Sequence, residues 1–121
     1  MKFMLLIYTD ETAWTDAERE ACYRESTALT HELQAHGKFI AASPLQVVST
    51  ARSVRVREEK PLVTSGPFAE TREQLGGYFL VEAESHEEAV AIASRIPAAK
   101  KGTVEIRPTI ELPGLPSALS Q

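Results

Sequence analysis

A second cysteine is missing from this chain of 121 residues, and so is any excess of positive charge. With Cys22 alone, no intrachain disulfide can form, and nothing asks for an oxidising compartment. Thirteen Lys and Arg against 17 Asp and Glu leave a formal charge of −4. That balance argues against a nucleic-acid partner, because grip on a phosphate backbone rests on clustered cations. No run approaches the ~18 apolar residues of a membrane span, so no membrane partner is expected. The opening run Met1 to Tyr8 is short for a secretory signal, and it meets Thr9-Asp10-Glu11 instead of a small-residue cleavage site. A cytoplasmic protein is the expectation. Histidines are few: His31 and His36 point about 140° apart on a helix, and His86 falls at a helix start. No metal and no cofactor are expected from this set. No Walker-type Lys-Ser/Thr follows Gly76-Gly77, and no nucleophile–base pair stands out.

What is present is the balance of an ordinary globular domain, 43% hydrophobic and 25% charged. Phe3 to Tyr8 reads as a central strand, apolar on both faces. Thr15-Asp16-Ala17-Glu18 is a capping box that opens a helix over 16–36, with Gly37 placed to end it. Cys22, Ser26, Leu29 and Leu33 share one face of that helix. Phe39 to Val48 predicts a strand with Pro44 at a bulge or edge. Ser53 to Arg57 alternates, Glu58 to Pro61 turns, and Leu62 to Thr64 returns. Gly77 to Glu82 is the next strand. Ser85-His86-Glu87-Glu88 reads as a second capping box, opening a helix whose buried face is Ala89, Ile92, Ala93 and Ile96 and which Pro97 helps to close. Thr103 to Ile110 is the last strand. The order is an α+β ferredoxin-like βαββαβ sandwich with an inserted β-hairpin, a single domain over 1–110 followed by a flexible tail over 111–121.

Two helices cover one face of such a sheet, yet Leu5-Leu6-Ile7 and Phe79-Leu80-Val81 put apolar groups on both. A bare apolar face is unusual in a monomer, so a homodimer formed sheet to sheet is expected.

Candidate site residues gather in a few places. Tyr8, Asp10 and Glu11 end the central strand, where a carboxylate can act as a general base or simply begin a solvated loop. Trp14 packs the loop into the first helix or walls a pocket. Arg55 and Arg57 share a strand face, spaced to grip one anion or to line a solvated hairpin. Ser65-Gly66-Pro67-Phe68 has the chemistry of a turn and equally of a pocket rim. Glu70, Arg72, Glu73 and Gln74 lie on the loop that follows, with Tyr78 just beyond the Gly76-Gly77 pair, which suits a bulge or close backbone approach. Cys22 reads as a small core residue rather than a nucleophile.

The run Thr64 to Ala83, with Lys2 to Tyr8, Asp10-Glu11, Trp14, Val54 to Arg57 and Val104 to Pro108, resembles the YCII-related superfamily, in the branch whose signature is Asp-Gly-Pro-Phe (the DGPF domain). The resemblance implies a dimeric α+β barrel of two ferredoxin-like subunits. The wider superfamily includes a dehydrochlorinase of chlorinated hydroxyhydroquinones with a proposed His/Asp pair, and members of this branch often accompany extracytoplasmic-function sigma factors. Ser65 stands where the signature has Asp, and aligning on Gly37 puts Ser26 near the superfamily's His. Serine does not titrate near neutrality, so that His/Asp mechanism does not carry over. The expected function is a small-molecule pocket, of lyase or isomerase type, with Asp10 and Glu70 as the acid/base carboxylates and Tyr8, Trp14, Ser26, Arg55, Arg57, Ser65, Phe68 and Tyr78 around the ligand. The alternatives are a non-catalytic ligand-binding or regulatory module beside a sigma factor and a structural dimer without chemistry.

Overall fold

A computed structural model describes residues 1–116 of the chain. Its frame is one antiparallel four-stranded sheet built from β1 (Lys2–Thr9), β2 (Phe39–Pro44), β5 (Gln74–Glu82) and β6 (Thr103–Pro108). They are arranged in the order β2-β5-β1-β6. The two helices are α1 (Asp16–Ala35) and α2 (His86–Ser94). This is the ferredoxin-like α+β arrangement, and β1 is central, between β5 and β6. The remaining strands, β3 (Arg52–Arg57) and β4 (Lys60–Ser65), form a hairpin of their own.

Local chemistry sets the helix ends. Thr15 Oγ1 accepts the Glu18 N–H at 3.1 Å while Glu18 Oε1 accepts the Thr15 N–H at 2.9 Å, a complete capping box. At the other end Gly37 adopts a φ of 72°. There the Lys38 N–H reaches the Leu33 carbonyl at 2.8 Å and the Gly37 N–H the Gln34 carbonyl at 3.0 Å. These are the paired bonds of a Schellman ending, which a glycine makes without Cβ strain. Ser85 caps α2 by accepting the Glu88 N–H at 3.1 Å. The expected second box is incomplete, because the Glu88 carboxylate instead takes the Glu84 N–H and the Lys38 ammonium, each at 2.9 Å.

The core lies between sheet and helices. Phe3, Leu5, Phe79 and Val81 alternate onto the inner face and meet Leu29 and Leu33 of α1 and Ala89, Ile92 and Ala93 of α2. On the opposite face the neighbours Leu6 and Tyr78, and Met4 and Leu80, are paired across β1 and β5, half-buried and without a covering layer. Two bulges adjust the sheet. One falls between Phe39 and Ala41, and one opposite Ile7/Tyr8, where Gly76 is the extra residue. Gly77 allows the close pass of β2, since a Cβ there would stand 3.1 Å from the Ser43 carbonyl oxygen.

Several expected boundaries move. The strand expected to reach Val48 ends at Pro44, which sits on the sheet's edge strand and donates no N–H. Residues Val48–Thr50 then form a short 3-10 turn. The hairpin turn is tighter than expected: Glu58 and Glu59 take φ of 50° and 64°, which lets β4 start at Lys60. The last strand stops at Pro108 instead of Ile110, which is 81% exposed. Of the expected tail, Glu111 to Pro116 runs outside the sheet, and residues 117–121 lie outside the described residues. Among the described residues, no helix is long and apolar enough to cross a membrane.

Candidate functional site

Along α1 the inward positions change character. Leu29 and Leu33 are buried, but no residue of the helix before Leu29 is. The positions that face the sheet in this first half are small or polar, so they do not fill the space that large apolar side chains would close. The result is a groove of about 650 Å³ between α1 and the sheet, open on one side. Its helix wall is the stripe Arg19, Cys22, Tyr23, Ser26, Thr27 and Thr30, spaced in steps of three and four. Its floor is mostly apolar, with Ile7, Phe39, Ala42, Gly77 and Phe79 beside the hydroxyls of Thr9 and Ser43. Its rim is the stretch Pro44 to Val47 together with Glu11 and Trp14.

One carboxylate and one guanidinium line this groove. Glu11 Oε2 accepts the Val48 N–H at 2.8 Å, tying the end of β1 to the loop after β2. Glu11 Oε1 makes no hydrogen bond among the described residues. Arg19 Nη1 donates to Asp16 Oδ1 at 3.2 Å, and Nη2 reaches the Glu11 carbonyl at 3.4 Å. Asp16 is fully exposed, so that ion pair contributes little to stability and a ligand anion can displace it at small cost.

Asp10 is beside the groove and occupied elsewhere. Its Oδ1 accepts the Thr12 hydroxyl at 2.6 Å and the Thr12 N–H at 2.9 Å, capping the turn Glu11–Ala13. Those two bonds, with Arg72 adding attraction, hold its carboxyl below the usual range, which makes it a weak base. Trp14 forms a wall of the groove, with Lys101 Nζ 5.0 Å from its ring centroid on a cation–π contact. The same ammonium donates to Glu18 Oε2 at 2.7 Å, and this bond above all takes the Glu18 carboxyl down to about 2. Burial pushes the Cys22 thiol up, against a smaller opposing effect of the Ser26 hydroxyl one turn away. An un-ionised thiol is a poor nucleophile.

Of the residues singled out from sequence, the groove therefore brings together Glu11, Trp14, Cys22, Ser26 and the Gly76-Gly77 pair, while Asp10, next to Glu11 in the chain, does not line it. Tyr78 pairs with Leu6 on the open face of the sheet, and Tyr8 alternates onto that same face. Arg55 and Arg57 are on the hairpin, Ser65 ends β4, and Glu70 is exposed on the loop beyond. Phe68 is 82% exposed, not an anchor. Gly66, with φ of 92°, and the Ser53 hydroxyl bonded to its carbonyl at 2.9 Å give this segment the geometry of a turn. Glu70, Arg55, Arg57, Ser65 and Phe68 do not line the groove. Sequence reasoning missed Arg19, Tyr23, Thr27, Thr30 and the Pro44–Val47 rim. The signal for the helix residues was the polar stripe beside the Leu29/Leu33 face. The rim carries no such periodic signal. Among the described residues no three His, Cys, Asp or Glu gather to hold a metal.

The profile of the YCII-related domain matches residues 1–113. The chain belongs to the YCII-related family. A relative in Rhizobium meliloti (strain 1021), the uncharacterised protein R00369, is 34% identical over 113 residues, covering 89% of this chain and 91% of its own. Among solved structures, the fold is similar to 5-chloro-2-hydroxyhydroquinone dehydrochlorinase (TftG) from Burkholderia phenoliruptrix AC1100 in complex with 2,5-dihydroxybenzoquinone. That likeness has a TM-score of 0.57 at 16% identity and covers 91% of this chain and 94% of the other. At that identity the YCII-related chain shares the architecture of an enzyme, and its own chemistry has to be read from its own groove.

Proposed function

We propose that this YCII-related protein binds a small hydroxylated molecule in the α1 groove and moves a proton on it, as a lyase or isomerase does. The observation that carries this reading is the groove itself. Its volume of about 650 Å³ falls within the range of small-molecule sites, and a mostly apolar floor faces a few polar groups. Within it Glu11, rather than Asp10 or Glu70, is the carboxylate positioned to give and take the proton, since it lines the space and has one oxygen uncommitted. The dehydrochlorinase with a similar fold, solved with a dihydroxybenzoquinone, supports a hydroxylated ring as the ligand.

The test uses 2,5-dihydroxybenzoquinone. Trp14 is the single tryptophan of the chain and walls the groove, so binding is expected to quench its fluorescence. Proton transfer is read as deuterium exchange into the ring by NMR. Glu11→Gln is expected to bind within about threefold of wild type and to lose on the order of 100-fold in exchange rate. A wild-type protein that binds neither this compound nor any larger hydroxylated quinone removes the reading.

The working unit in this proposal is a homodimer that covers the Met4, Leu6, Tyr78 and Leu80 face, and a monomeric mass in sedimentation at micromolar concentration would refute it. One observation favours a regulatory role beside a sigma factor instead. The hairpin exposes Val54, Val56, Leu62 and Val63, a surface suited to a protein partner. Co-purification of an extracytoplasmic-function sigma factor, lost in Val56→Glu, would support that role.

A further inference from the structure

The groove is larger than one ring requires. A cavity of ~150 Å³ suffices for a benzene-sized ligand, against about 650 Å³ here. Its polar groups are also strung out rather than clustered. From Arg19 to Thr30 the helix wall spans about 16 Å at ~1.5 Å per residue. The hydroxyls along it have a defined polarity. Thr27 Oγ1 donates to the Tyr23 carbonyl at 2.8 Å, and Thr30 Oγ1 donates to the Thr27 carbonyl at 2.6 Å. With their protons committed to the helix backbone, these oxygens offer lone pairs to the groove and can only accept. They fit ligand groups that donate, namely hydroxyls. Among the described residues Arg19 is the one cation lining the groove, and it does the reverse: a guanidinium donates and prefers an ionised oxygen. The opposite wall, with Ile7, Phe39 and Phe79, offers apolar surface for ring faces.

We infer that the ligand is an elongated, multi-ring, polyoxygenated molecule. It places an ionised enol or phenolate oxygen against Arg19 and free hydroxyl groups toward Thr27 and Thr30, with its ring faces on the strand floor. This rests on the small-molecule reading above and specifies the substrate class of that site.

The test compares a single ring with three fused rings, again by Trp14 quenching, using 2,5-dihydroxybenzoquinone, 2,6-dihydroxyanthraquinone, whose hydroxyls lie at opposite ends, and anthraquinone without hydroxyls. The dihydroxyanthraquinone is expected to bind at least ~10-fold tighter than the single ring, and tighter than the unsubstituted anthraquinone. Arg19→Gln is expected to weaken both hydroxylated probes ~10-fold and leave unsubstituted anthraquinone unchanged. The double variant Thr27→Val/Thr30→Val, close in shape to wild type, is expected to weaken the three-ring probe several-fold and spare the single ring. Equal or tighter binding of the single ring overturns the inference while the small-molecule reading survives. So does indifference of the three-ring probe to both sets of substitutions. If neither hydroxylated probe binds, the small-molecule reading falls and takes this inference with it.

Discussion

Ser26→Leu separates a real groove from a packed core that only looks hollow. The change exchanges a hydroxyl for an isopropyl group on the groove face of α1. In a close-packed interior, such an insertion forces side chains off their rotamers and costs ~1–3 kcal/mol. In a groove of about 650 Å³ the added carbons have room and come to rest on the Phe39 and Phe79 floor. At ~0.8 kcal/mol per buried carbon, full burial of the isopropyl group would be worth ~2.4 kcal/mol. The groove is open on one side, so about half of that is expected, with a few tenths more from the better helix propensity of leucine. The net expectation is a gain of about 1.5 kcal/mol, visible as a higher urea midpoint at unchanged m-value. Quenching of Trp14 by 2,5-dihydroxybenzoquinone or 2,6-dihydroxyanthraquinone should fall at least ~10-fold in affinity, because the isopropyl group occupies ligand space. Stability and binding thus move in opposite directions. A loss of 1 kcal/mol or more would mean that Ser26 faces packed atoms and that the groove reasoning is wrong.

Gly102→Ala should behave in the opposite way. Its Cβ would lie 2.2 Å from the Tyr8 carbonyl oxygen and 2.9 Å from Thr9 Cγ2. Backbone must move, so a loss of at least ~2 kcal/mol is expected in denaturant melts, and a wild-type midpoint would contradict this packing of β6 on β1. Stability should also fall in acid through Glu18. Its carboxyl is held at about 2 in the fold, below its ordinary 4.5, chiefly by Lys101. The folded state therefore binds that proton less readily than the unfolded chain. The contribution is present above about 4.5 and is lost as pH falls toward about 2. Glu18→Gln should flatten the stability curve across that window, and an unchanged slope would show that the Lys101 contact is not maintained in solution.

The amino-acid sequence by itself determined the features whose causes lie within a few residues of one another. Thr15 and Glu18 specify where α1 begins, Gly37 where it ends, and the near-continuous apolar runs in Phe3 to Tyr8 and Gly77 to Glu82 mark strands with two apolar faces. With Ser85 and the Ala89/Ile92 face these suffice for the ferredoxin-like order, and the Thr64 to Ala83 run suffices for the family. The site was legible only in fragments, Glu11, Trp14, Cys22 and Ser26, because what assembles them is long-range. Glu11 becomes a groove residue through a bond to Val48, 37 positions away, whereas Asp10 beside it is consumed by a local cap. Helical periodicity says that Cys22 and Ser26 face inward. It does not say whether the opposing strands reach far enough to meet them. Only the packing of α1 decides how much space is left beside them. The space left over is where a ligand fits.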